Sequence, residues 1–101
     1  QEMKYTIEIR DKAIEEMDLS KEYYHEKRVG LGDEFIKETF STIKYIQQFP
    51  LHFHLFDKKY RQAKIDRFPF LVVYEFEEED NNIVVISVFH TSRNPKEKLK
   101  K

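Results

Sequence analysis

Asp66 to Phe76 reads DRFPFLVVYEF, and the proline inside it decides how the second half of the chain is laid out. Proline has no N–H to give a sheet ladder, so it belongs at a strand's beginning or on an edge. With Pro69 at the start, Phe70, Val72, Tyr74 and Phe76 form one face of a strand and Leu71, Val73 and Glu75 the other. Arg67 then closes the preceding strand, FDKKYRQAKID (residues 56–66), which alternates with Ala63 and Ile65 on the side that also carries Arg61 and Arg67. Downstream, EEEDNN (77–82) fits a hairpin turn. IVVISVFH (83–90) is apolar on both faces, the mark of a central strand.

Toward the N-terminus, KYTIEIR (4–10) alternates with Tyr5, Ile7 and Ile9 on one side, the pattern of a half-buried strand. Asp11 offers a cap to a helix over Lys12 to Arg28, whose Ile14, Met17 and Tyr24, with Ala13 and Tyr23 beside them, make an irregular apolar stripe. One of the rings of Tyr23 and Tyr24 is expected on the sheet and the other in water. VGLGDEF (29–35) holds both glycines of the chain, Gly30 and Gly32, at a corner where positive φ is cheap. A second helix starts at Gly32 or Asp33, carries Phe35, Ile36, Phe40, Ile43 and Ile46 on its apolar face, and closes at QQFP before Pro50. The expected order is strand, helix, helix, strand, strand, strand. That is an α+β plan: an N-terminal strand, an antiparallel helical hairpin, then three antiparallel strands, with the hairpin packed on the sheet.

At 101 residues the chain is one domain, 1–101, large enough to remove about two-thirds of its unfolded surface from water without staples. Gln1 and Glu2 precede Met3, which reads as the native start with two appended residues before it. The absence of cysteine rules out a disulfide framework and thiolate zinc sites. No apolar run approaches the roughly 20 residues of a membrane span, and no signal-like segment opens the chain, so the expected location is the cytoplasm. No cofactor and no metal are expected. His52 and His54 stand two apart in LHFHLF (51–56), but no third ligand has suitable spacing.

Charge is abundant and balanced, 18 basic against 19 acidic residues, whereas a general polyanion binder shows a clear positive excess. Two segments depart from the balance. Lys58, Lys59, Arg61, Lys64 and Arg67 oppose only Asp66 between residues 58 and 67, a local +4. Arg93, Lys96, Lys98, Lys100 and Lys101 against Glu97 give +4 again between residues 90 and 101. Such runs are commonly solvated surface. Two arginines on one strand face with Ala63 and Ile65 between them suggest contact, and Arg67, stiffened by Pro69, is expected to matter more in binding than in folding. Histidine is a common acid or base, so His90 could serve as one with Arg93 and Arg67 as a phosphate clamp; equally, it could cap a strand end. Phe68, Phe70, Phe76 and Phe89 are core or partner surface.

These residues carry a resemblance to a family. The helix-ending LG followed by F, then FP, then an arginine in YRQAKIDRFPFLVVYEF, then ISVFHTSRNP, resemble the RelE/ParE superfamily of toxins from bacterial type II toxin–antitoxin systems, over nearly the whole chain. RFPF with a following YEF, and VFHTSRNP, resemble the ParE-like branch. The resemblance implies a helical hairpin on a sheet like that of the microbial ribonucleases. It also implies growth inhibition, plasmid stabilisation, and neutralisation by a cognate antitoxin whose C-terminal segment wraps the toxin. A homodimer is one state open to the free toxin.

The superfamily spans two activities. RelE-like members cleave messenger RNA on the ribosome, and ParE-like members inhibit DNA gyrase. Cleavage by a 2′-hydroxyl needs a base, donors for the phosphate and an acid for the leaving oxygen. The RelE-like pattern has an arginine at the position of Leu71 and a second basic residue at that of Thr91. Each preorganised donor of this kind is worth about 10²- to 10³-fold, so their loss weakens the catalytic reading. Near-zero net charge points the same way, because binding to ribosome and message draws on phosphate contacts. The reading is therefore a ParE-like toxin that binds and inhibits a host target, gyrase by resemblance. The alternatives are a ribosome-dependent endoribonuclease and an inactive toxin retained as an antitoxin-binding module.

Overall fold

The computed structural model describes residues 5–92. β1 (Thr6–Ile9) is followed by α1 (Asp11–Lys27), α2 (Leu31–Gln48), β2 (His54–Asp57), β3 (Tyr60–Lys64), β4 (Phe70–Glu77), a single 3-10 turn (Glu78–Asp80) and β5 (Asn82–His90). The order is the expected α+β one with a strand added: FDKKYRQAKID is not a single strand but the end of β2, a turn and β3. Lys58, at φ 46°, takes the left-handed conformation that lets Asp57 face Tyr60. Neither turn residue is Gly, Asn or Asp, so the sequence gives no turn signal there.

The strands lie in the order β1-β5-β4-β3-β2. β2 to β5 run antiparallel to their neighbours, whereas β1 lies parallel to β5, so the sheet is mixed rather than wholly antiparallel. β5 is an interior strand between β1 and β4, as its two apolar faces require, although the middle place belongs to β4. Beyond Val85, where β1 has ended, its edge is taken by α1: the Glu16 carboxylate accepts from the Val88 N–H at 2.9 Å and from the Ser87 hydroxyl at 2.7 Å.

Gly30, at φ 86°, reverses the chain between the helices. A Cβ on Gly32 would fall inside van der Waals contact of the Lys21 carbonyl oxygen, so the backbones of α1 and α2 touch at this point. Asp11 is the first residue of α1 and makes no cap; Arg10 precedes it. On α2 the buried line is Phe35, Thr39, Ile43 and Ile46, with Ile36 half-buried and Phe40 turned outward. Thr39 is tolerated there because its hydroxyl donates to the Phe35 carbonyl at 2.8 Å.

The core lies between this hairpin and one face of the sheet. Tyr24, Phe35, Phe68 and Phe70 form its aromatic centre, with Tyr24 to Phe68 at 5.0 Å and Phe35 to Phe70 at 4.9 Å between ring centroids. Phe68, Phe70 and Phe89 are buried and Phe76 partly so; Tyr24 packs inward while Tyr23 faces solvent. Tyr74 donates to the Pro50 carbonyl at 2.6 Å, fixing the path from α2 into β2, and burial pushes its phenol up to about 12. Among the described residues no helix is long and apolar enough to cross a membrane.

Candidate functional site

The cations of the 58–67 segment leave the β2–β3 hairpin by alternation. Arg61 shares the helix-facing side with Ala63; its Nη1 donates to the Phe53 carbonyl at 2.8 Å and holds the segment entering β2. Lys64, on the opposite side, folds back so that its Nζ donates to the carbonyls of Ile65 and Phe68 at 3.0 and 3.1 Å. Both are bonded to neutral oxygens and keep their charge. Lys59 lies 3.9 Å from Glu75 and over the Tyr60 ring; Lys58 is exposed at the turn.

Arg67 does not end a strand. β3 stops at Lys64, and Arg67 sits in the tight connection to β4 with φ 73°, a left-handed backbone rare for a residue with a side chain. Its Nη2 donates to Glu34 at 2.8 Å and its Nη1 to Glu38 at 3.3 Å, both on α2, with Arg28 adding a second cation 3.6 Å from Glu34. The Arg67 hydrogen bond, opposed in part by desolvation, holds the Glu34 carboxyl below its usual range.

His90 stands at the same end of the sheet, as the ladder partner of Phe70 at the start of β4. The Ser92 N–H donates to its Nδ1 at 3.1 Å, so the neutral ring carries its proton on Nε2 and presents a donor, not a base, to solvent. Its ring packs on Phe70 at 5.4 Å. Two adjoining depressions, about 270 and 480 Å³, meet here along α1, lined by Leu19, Ser20, Tyr23, Phe70 and His90 among others, and no Lys or Arg of the described residues lines either. The Thr91 N–H donates to the Pro69 carbonyl at 2.8 Å, but no described contact joins the His90 ring to the Arg67 guanidinium, which is held by Glu34 and Glu38, and Arg93 lies outside the described residues. A phosphate clamp with an adjacent acid or base is not assembled from the described part of the candidate set.

Leu71, where the catalytic pattern calls for an arginine, is a half-buried residue of β4 facing Lys64 and Phe89 across the ladder. His52 packs edge-on against Tyr45 and Phe53, and no group of metal-ligating side chains occurs among the described residues. Sequence reasoning missed an exposed apolar group on YIQQFPLHFHLF (45–56): Tyr45, Phe49, Leu51 and Leu55 reach solvent, with Tyr45 and Phe49 at 5.0 Å. The signal was its density of large apolar side chains after the helix had ended at Gln48. Glu34 and Glu38 as partners of Arg67 were also missed, since one turn of α2 separates them from each other but about thirty residues separate them from Arg67.

A family model described as the ParE toxin of the type II toxin–antitoxin system, parDE, matches residues 7–95. No curated protein matches the chain. Among solved structures, a chain of the chromosomal ParDE toxin–antitoxin system of P. aeruginosa superposes with a TM-score of 0.72 at 14% identity, over 88% of this chain and 98% of that one. The toxin–antitoxin complex RelBE2 of Mycobacterium tuberculosis gives 0.56 at 16% identity, over 89% and 94%. The isolated RelE toxin of E. coli gives 0.51 at 14% identity, over 93% and 92%. At these identities the structural likeness carries the fold.

Proposed function

The chain belongs to the ParE toxin family of type II toxin–antitoxin systems, and from that membership we propose that it arrests growth by binding and inhibiting DNA gyrase and is neutralised by a cognate antitoxin. The observation that carries the choice of target is the composition of the rim. The position that an RNA-cleaving relative fills with arginine is the half-buried Leu71, and the depressions around His90 have no lysine or arginine among their described lining. Without donors for the phosphate, a single imidazole supplies too little of the electrostatic stabilisation that phosphodiester cleavage needs. A protein that acts by occupying a surface needs none of this machinery.

The experiment sets a gyrase supercoiling assay beside a translation assay, both with the purified full chain. The expected result is inhibited supercoiling with intact message. Cleaved ribosome-bound message and unaffected supercoiling would replace this reading with the endoribonuclease one. In that case His90→Ala and Arg93→Ala are expected to abolish cleavage while leaving the melting transition in place. No response in either assay, with antitoxin binding retained, identifies a binding module that has lost its target.

A further inference from the structure

The helical hairpin carries one pattern twice, with opposite charge. On α1, Asp11 stands three residues before Ile14 and Asp18 four after it; on α2, Lys37 stands three before Phe40 and Lys44 four after it. Spacings of three and four keep each triplet on one face of its helix. Ile14 and Phe40 are 44% and 46% accessible and the four charged residues are exposed, so both faces look away from the sheet. Half-buried Ile36 extends the apolar seam from Phe40 toward the turn. The antiparallel helices are pinned near that turn, where the Lys21 Nζ lies 3.8 Å from Asp33 and a Cβ on Gly32 would meet the Lys21 carbonyl oxygen. Ile14 is two turns before Lys21 and Phe40 two turns after Asp33, which sets them at one level across the seam. The same spacing sets Asp18 level with Lys37 and Asp11 level with Lys44. None of these four takes part in an ion pair among the described residues.

Such a surface is complementary to itself. A two-fold axis along the seam lays α1 of one copy over α2 of the other, so that Ile14 meets Phe40 and the aspartates meet the lysines, each contact made twice. An axis across the seam instead lays α1 on α1 and sets aspartate against aspartate. We infer that the outer face of the hairpin, at Ile14, Ile36 and Phe40, is the interface of a two-fold dimer of this chain. In this four-helix packing Asp11 and Asp18 of each copy pair with Lys44 and Lys37 of the other. Glu15, between the two aspartates, falls between the same two lysines. Glu22 meets Asp33 of the other copy at the turn end, where Lys21 offsets Asp33 and helices crossing at about 20° have begun to diverge. A different protein would have to supply both halves of this pattern; a second copy carries them already. The inference is independent of the choice between gyrase and message.

The test follows the mass of the free, purified full chain against concentration by sedimentation. The native chain is expected to dimerise, and less so as salt is raised. Asp11→Lys/Asp18→Lys leaves lysine at all four positions and Lys37→Asp/Lys44→Asp leaves aspartate at all four, so each alone is expected to weaken the dimer at least tenfold. An equimolar mixture of these two chains should form a mixed dimer, and the four substitutions in one chain should restore the homodimer. Phe40→Ser is expected to weaken the dimer as much as either reversal, and Phe49→Ser/Leu55→Ser, at the α2–β2 corner, not at all. The chain has no cysteine, so Ile14→Cys and Phe40→Cys report the axis: under oxidation a disulfide forms when the two chains are mixed and in neither alone. All these side chains are exposed, and each variant is checked by its melting transition. A native chain that stays monomeric at every concentration overturns the inference and leaves the face to a different protein. A dimer that survives both charge reversals, or is lost in the corner variant, overturns it as well. Disulfide formation by Ile14→Cys alone places α1 on α1 and overturns the arrangement.

Discussion

Arg67 combines a left-handed backbone at φ 73° with a guanidinium shared between two carboxylates. Alanine at this position keeps the backbone strain and loses the ion pairs, whereas glycine loses the ion pairs and relieves the strain. Arg67→Gly is therefore expected to melt at a higher temperature than Arg67→Ala, and the reverse order in a thermal scan would show that the turn is not strained. Contact and structural roles for Arg67 separate in Glu34→Gln/Glu38→Gln, which leaves the arginine and frees it. If Arg67 is a contact residue, this variant should melt lower yet bind its partner as tightly as the native chain or more so. The stabilisation from Glu34 has a definite pH sign. Its folded pKa is lowered, so the contribution is present above the ordinary carboxylate range and is lost as pH falls through the folded value. The gap between native and Glu34→Gln melting temperatures should close on acidification, and earlier in high salt because the pair is exposed. The stiffness that Pro69 imposes near Arg67 is readable from the sequence. The sign of φ is not, because the reversal is dictated by where β3 and β4 must meet.

The helical hairpin and the β2–β3 hairpin differ in how much of them the sequence discloses. Gly30 and Gly32 announced the first, and the structure assigns them distinct tasks, a left-handed reversal at Gly30 and a close backbone approach at Gly32. Gly32→Ala should destabilise the fold by about 1–3 kcal/mol, the usual range for forcing a methyl group into packed surroundings. A urea midpoint unchanged in this variant would mean that the helices separate freely. The second hairpin was hidden because alternation continues through it and Lys58 occupies a turn position that glycine would fill at less cost. α2 was legible in its bounds and less so in its outward face. Phe40 carries the same apolar signal as Phe35 but lies on a part of the helix that the sheet does not cover. Hydrophobicity tells which side chains gain from burial. It does not tell which of them the neighbouring element is wide enough to reach.

At the scale of the molecule, the layer order was legible because the period-two stretches stand apart from the two helical ones along the chain. Mixed pairing was not, since nothing within TIEI says whether β1 meets its neighbour parallel or antiparallel. The Tyr74 hydroxyl ties β4 to the end of α2, and with its pKa raised to about 12 it contributes stability below the ordinary phenol range that is lost as pH rises toward that value. Tyr74→Phe should cost about 1 kcal/mol near neutrality and flatten the alkaline part of the stability curve. Denaturant titrations at pH 8 and at high pH measure both effects. The parallel pairing of β1 with β5 also imposes a timetable on synthesis. Thr6 to Ile9 leave the ribosome early, yet their partners run from Asn82 to Val85, and until those residues emerge the first strand has no ladder and nothing links it to β4. At roughly 5–20 residues per second, the nascent polypeptide spends several seconds without a closed sheet. Any surface that spans β5 and its neighbours therefore takes shape only at the end of synthesis.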